Sequence, residues 1–298
     1  MNWRIIKDKL IANTMLILSI ASVSFVFLIG IGLYWRAAPL FEEQTLLSLF
    51  SASEWAPSKG QFGFYPFIMG TLWVTLIAIV VALPLCLLTA IYLTEYAKPG
   101  VRSVILPLVN ILAGIPPVIY GVWGIFFVVP IVREYIAPQF TDYSSGYTVF
   151  TGGVVLAVMI FPILVSIVSE VLRTIPKELK DASLSLGATK WETIKKVVLK
   201  RALSGIVAAT VLAVSRAFGE TIAVLMVCGN VPIAPTSVFD GGYPLPALIA
   251  NNFGEMMSIP LYDSALMFAA LLLFVIIFLF NLVSRIVLHR VESKYSAS

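Results

Sequence analysis

The chain has 298 residues, 59% of them hydrophobic and only 12% charged, whereas a soluble domain carries roughly 25% charged residues. Water is excluded as its main solvent, and two cysteines and one histidine show no spacing that suggests a disulfide framework or a metal site. The formal charge of +4 takes its meaning from where the basic residues lie.

Stretches free of Asp, Glu, Lys and Arg mark the elements in order. Leu10 to Trp35 is the first. It is too long for the apolar core of a cleavable signal peptide and runs straight into Trp35-Arg36, so it is expected to remain as a span. Residues 36–66 hold Glu42, Glu43, Glu54, Trp55, Pro57, Gly60 and Gly63. They read equally well as an ordered cap with aromatic anchors or as a plain connector. The second span is Phe62 to Thr94, the third Ser103 to Val132 and the fourth Tyr143 to Ser169, each longer than the ~20 apolar residues that a membrane helix needs. In the third, Gly114, Pro116 and Pro117 predict a break or kink, which is tolerated at that depth only inside protein or beside water.

A helical loop follows. Thr174-Ile175-Pro176-Lys177-Glu178 combines a hydroxyl capping residue, a first-turn proline and a carboxylate near a helix N-terminus. The helix runs through Leu179 to Leu186 and ends at Gly187, the residue best able to take the left-handed cap. Thr189-Lys190-Trp191-Glu192 then forms a capping box that starts a second helix. Leu184, Leu186 and Trp191 are left with no membrane to bury them. They suit either a partner's groove or, with Lys190, Lys195 and Lys196, an anionic lipid surface.

The fifth span is read through two charges, Arg216 and Glu220, with its helix expected over about Leu203 to Val227. Arg216 then lies about 20 Å along the axis, near the bilayer midplane, where a charge costs roughly 2.5–3.5 kcal/mol. At i, i+4 the two share one face. They are either a self-neutralising structural pair or a site in which the arginine fork meets an anion's oxygens. Gly205, Ala209, Ala213 and Ala217 form a row of small residues suited to close helix packing. Residues 228–262 hold five prolines with Asn251, Asn252 and Glu255 and pose the same choice of cap or connector. Ser264 to Ser284 is the sixth span, with His289 beyond it as an interfacial residue among Arg285, Arg290 and Lys294. Cys86 and Cys228 read as small apolar fillers. No nucleophile, base and orienting group gather outside the spans, so no catalytic or metal-binding residue is assigned.

In this all-α, six-helix arrangement sixteen basic residues fall on one side and three on the other, with Arg216 left inside. The positive-inside rule then places both termini in the cytoplasm. The chain divides into a first helix with its external segment (1–66), a core of five helices (67–288) with a cytoplasmic loop at about 172–202, and a tail (289–298).

The run Asp181-Ala182-Ser183, then Gly187, then Val197-Val198-Leu199 resembles the EAA loop of binding-protein-dependent ABC importer permeases, with Asp181 in place of Glu and Lys200 in place of a final Pro. That resemblance implies the type I importer permease fold and a coupling helix at about 177–191, in which Asp181, Ala182, Leu184 and Gly187 serve the contact with an ATPase. The chain has no G-x-x-x-x-G-K-[ST] phosphate loop of its own, so ATP and Mg are expected on a partner, with no cofactor bound here.

Gly114-Ile115-Pro116-Pro117-Val118-Ile119-Tyr120-Gly121 and Arg216-Ala217-Phe218-Gly219-Glu220-Thr221, followed by Cys228-Gly229-Asn230, are similar to segments of phosphate permeases. Glu54-Trp55-Ala56-Pro57, Phe62-Gly63, Pro66-Phe67-Ile68 and Gly70-Thr71 resemble the PstC-type subunit. The resemblance implies a multi-pass subunit of the prokaryotic plasma membrane. Its partners would be a PstA-like permease, a PstB-like ATP-binding subunit and a PstS-like external phosphate-binding protein, with Arg216 and Glu220 in the substrate pathway. A permease for another oxyanion, a secondary transporter and a non-transporting scaffold are the alternatives. A secondary transporter predicts an internal inverted repeat, and none is evident in the sequence.

Overall fold

The computed structural model describes residues 2–255 and 258–296. The side chains of Arg4 and Lys294, both counted in the charge distribution, and the last two residues of the expected tail lie outside what is described. Among the described residues, six helices are long and apolar enough to cross a membrane: Ile6–Glu43, Tyr65–Tyr96, Pro117–Gln139, Val149–Arg173, Lys190–Phe218 and Tyr262–Arg290. The fourth starts at Val149 because Thr148 Oγ1 accepts a hydrogen bond from the Thr151 N–H at 3.1 Å, leaving 143–147 outside the helix.

Two spans differ from expectation. The third does not run from Ser103 to Val132. Residues Pro99–Ala113 form a separate helix of 15 residues, about 22 Å long at 1.5 Å per residue and so too short to cross a ~30 Å hydrocarbon core. Pro117 forces Pro116 into an extended conformation, with φ −59° and ψ 140°, and the crossing helix begins anew at Pro117. The fifth helix begins earlier than Leu203 and ends at Phe218, not Val227. After a break at Gly219 to Thr221 a short helix, Ile222–Val227, resumes.

The fourth span is the hub of the main core. A Cβ added at Gly153 would come within 2.5 Å of the Ile77 side chain of the second span, and one at Gly205 of the fifth would run into Val171 of the fourth. Ala209, Ala213 and Ala217 are buried, so the small-residue row does serve close packing. The first span stands apart. It leans chiefly on the sixth, where a Cβ at Gly30 would lie 3.3 Å from the Phe274 ring.

A second core closes one end of the bundle and makes residues 44–64 an ordered cap. Trp55–Ala56 pairs antiparallel with Gln61–Phe62. The Trp55 ring meets Phe62, Phe64 and Phe67 edge-on at 5.5, 5.3 and 4.9 Å, geometry that the ring quadrupoles favour. Part of the segment after residue 228 joins this core through Tyr243, Leu245 and Leu248. Its helix Leu245–Asn252 is tied down by the Leu245 N–H, which donates to Thr71 Oγ1 at 2.9 Å, and by Tyr262 Oη, which donates to Asn252 Oδ1 at 2.8 Å. The loop at 174–189 lies at the opposite end.

Candidate functional site

Arg216 and Glu220 do not share a helix. The Gly219 N–H bonds back to the Arg216 carbonyl and the Glu220 N–H to the Ala217 carbonyl, both at 3.2 Å. These tightened i→i+3 bonds end the helix and remove the i, i+4 relation expected of the pair. Each charge instead occupies the helix end that suits it. Arg216 stands in the last turn of Leu199–Phe218, where the carbonyl end of the dipole favours a cation. Glu220 stands at the start of Ile222–Val227, its Oε1 accepting the Ala223 N–H at 3.4 Å. The two form no ion pair with each other, and among the described residues Arg216 forms none at all. Its side chain is exposed on the face that carries Ala208 and Leu212, while the neighbouring Ala217 is buried. No direct ion pair joins them, although the Arg216 charge still acts on the Glu220 carboxylate across the break.

The break in the third span adjoins this one. Helix Pro117–Trp123 packs on Ile222–Val227 through Gly121, where an added Cβ would lie 2.5 Å from Met226 Sδ and 3.3 Å from Ala223 Cα. Three residues on, a Cβ at Gly124 would meet Val227 Cγ1 at 2.9 Å. Both contacts advance in the same direction along the chain, so the two helices run parallel and start from adjacent breaks. Tyr120 Oη reaches back over the break to donate to the Leu112 carbonyl at 2.7 Å, satisfying a group that the interrupted helix leaves open. The two segments singled out in the sequence thus meet in space. Gly121 as their contact point was missed, although a glycine inside an apolar helix is the usual signal of close approach.

At the other end, helix Lys177–Ser185 carries Asp181, Ala182 and Leu184, and Gly187 follows with φ +84°. The Gly187 N–H bonds the Leu184 carbonyl at 3.0 Å and the Ala188 N–H the Ser183 carbonyl at 3.3 Å, closing the helix C-terminus. The capping box is complete: Thr189 Oγ1 accepts the Glu192 N–H at 3.2 Å and Glu192 Oε2 accepts the Thr189 N–H at 2.9 Å. Thr174 does not cap the first helix of the loop. Its hydroxyl donates to the Val171 carbonyl at 2.7 Å and so closes the preceding span, and Pro176 takes the capping position. Asp181, Ala182, Leu184, Leu186 and Trp191 are all exposed, Leu186 by 90%.

Sequence reasoning did not anticipate the base on which this loop rests. Lys180 Nζ sits 2.6 Å from Glu95 Oε1, and Lys190 Nζ stands 4.5 Å over the Tyr96 ring, so the end of the second span holds the loop. No local pattern marks residues so far apart in the chain.

Residues 82–296 match the family model described as binding-protein-dependent transport system inner membrane component. The chain is 35% identical over 292 residues to the phosphate transport system permease protein PstC of Xylella fastidiosa, covering 92% of this chain and 89% of that protein. It is 34% identical over 282 residues to the probable ABC transporter permease protein YqgH of Bacillus subtilis, covering 94% and 89%. In fold it is similar to a chain of a bacterial alginate ABC transporter solved with its alginate-bound periplasmic protein, with a TM-score of 0.65, 16% identity and 95% of each chain covered. Matched over most of its length and carrying six membrane-length helices, the chain is a multi-pass plasma-membrane protein that belongs to the family of binding-protein-dependent transport system inner membrane components.

Proposed function

We propose that this chain is a membrane-spanning permease subunit of an ATP-driven phosphate importer and forms half of the translocation pathway beside a related, PstA-like permease. Both termini and the loop at 174–189 face the cytoplasm, in line with the basic residues gathered at that end. Leu184, Leu186 and Trp191 dock there onto a PstB-like subunit that binds ATP and Mg, so this chain carries no cofactor. The caps at the opposite end receive phosphate from an external PstS-like binding protein. The relatives' phosphate permease names support the substrate.

The observation that carries the reading is Arg216, an arginine exposed at an intramembrane helix break with no ion-pair partner among the described residues. Its guanidinium offers a planar fork of donors to phosphate oxygens. Phosphate near neutral pH keeps a proton, and the Glu220 carboxylate accepts a hydrogen bond from that P–OH, which fully deprotonated sulfate cannot supply. Its negative charge also keeps the arginine from holding the anion too long.

The test is uptake of labelled phosphate into proteoliposomes that hold the assembled transporter. Arg216→Lys is expected to weaken uptake and Arg216→Ala to abolish it, with normal membrane insertion in both. Uptake that survives both changes overturns the assignment. Phosphate-stimulated ATP hydrolysis that requires the partner ATPase separates this reading from a secondary transporter.

A further inference from the structure

The second span supports the loop at 174–189 although the two are not neighbours in the chain. Its last turn widens into a π turn, Tyr92–Tyr96, closed by the Ala97 N–H donating to the Tyr92 carbonyl at 2.8 Å. Such single wide turns recur at functional positions in helices. Two consecutive side chains of this turn reach the loop: Glu95 takes Lys180 at 2.6 Å, and the Tyr96 ring takes Lys190 at 4.5 Å. Lys180 precedes the Gly187 corner and Lys190 follows it, so one helix end grips both arms of the loop. A hydroxyl bridge between Ser183 and Thr193 at 2.9 Å braces the arms against each other.

The Glu95–Lys180 pair differs from the other ion pairs. Its side chains are only 9% and 21% exposed, whereas each partner in the other four pairs among the described residues is at least 37% exposed. Solvated pairs contribute little, but breaking a pair withdrawn from water strands a charge. The second span also reaches the far end of the molecule. There Thr71 Oγ1 accepts the Leu245 N–H at 2.9 Å, and a Cβ at Gly70 would lie 3.2 Å from the Tyr243 backbone.

We infer that Glu95 is a positioning residue for energy coupling: it ties the loop to the second span, so that displacement of the loop by the ATPase is delivered to the cap side through that helix as well as through the fourth and fifth. This rests on the docking role proposed above for the loop. A continuous helix held at one end by a hydrogen bond and at the other by a withdrawn ion pair is the physical link that such a transfer needs.

The experiment measures phosphate moved per ATP hydrolysed by the complete transporter in proteoliposomes, for Glu95→Lys, Lys180→Glu and the two combined. Each single reversal is expected to lower that ratio about five-fold or more, with the ATPase subunit still co-purifying in full. The combined exchange restores the pair and is expected to return the ratio to within about two-fold of the starting protein. Single variants with an unchanged ratio, single variants that lose the ATPase subunit, or an exchange that fails to rescue each overturn the inference. Leu186→Asp is measured alongside, because it alters the docking face without touching Glu95. If the ATPase subunit still binds that variant in full, the docking reading itself falls, independently of Glu95.

Discussion

Arg216 and Glu220 hold their positions through helix ends, so the break between them matters as much as their charges. The short helix after that break packs on Gly121, whose missing side chain admits Met226 and Ala223. Gly121→Val forces apart two helices that already touch, and overpacking of this kind costs about 1–3 kcal/mol. The expected outcome is a lower unfolding temperature in detergent together with reduced uptake; unchanged values for both would show that the packing yields freely. Thr189→Ala removes one half of the capping box and is expected to cost about 1 kcal/mol. Faster amide exchange at Lys190 to Thr193, with the core spans unaffected, is the readout.

Gly187 illustrates how an element depends on backbone conformation more than on space. Nothing lies within 4 Å of a Cβ added there, yet φ is +84°. A substitution at this corner therefore tests φ and not space. Gly187→Asn, which tolerates the left-handed region, is expected to keep coupling, whereas Gly187→Val incurs about 1–2 kcal/mol of strain and turns the corner wrongly. ATP hydrolysis that continues without matching uptake in the valine variant alone is the predicted signature; equal behaviour of the two variants would falsify the backbone argument. The corner and the capping box are legible in the sequence because residues within a few positions of one another decide them. Thr174 is misread for a related reason: one hydroxyl can open the next helix or close the last, and only the tertiary path chooses. The end of the fifth helix at Phe218 is not legible either, since it is set by the i→i+3 bonds of Gly219 and Glu220 within a stretch whose apolar character resumes through Val227. Glu95 and Lys180 are 85 positions apart, and neither carries a local mark.

Across the whole molecule the six spans are legible because composition alone demands them, while their exact ends follow local caps and breaks. The structure leaves a convenient way to test which end faces the cytoplasm. Both native cysteines, Cys86 and Cys228, are fully buried, so an impermeant thiol reagent meets a quiet background. Ser185→Cys is expected to react only from the cytoplasmic side of inverted vesicles and Lys59→Cys only from the outer side of intact cells. The opposite pattern would reverse the proposed topology while leaving the fold intact.

The partnership of the first span with the sixth sets an order of assembly. Between Glu43 and Tyr262 the ribosome needs between about 10 and 45 s at 5–20 residues per second. During that time the first helix is already in the lipid, while the helix it leans on has yet to be made. The membrane must therefore store the beginning of the chain until its end arrives, and a chain cut short before Tyr262 would leave the first helix drifting and the cap-side core without Tyr262, Phe268 and Leu272.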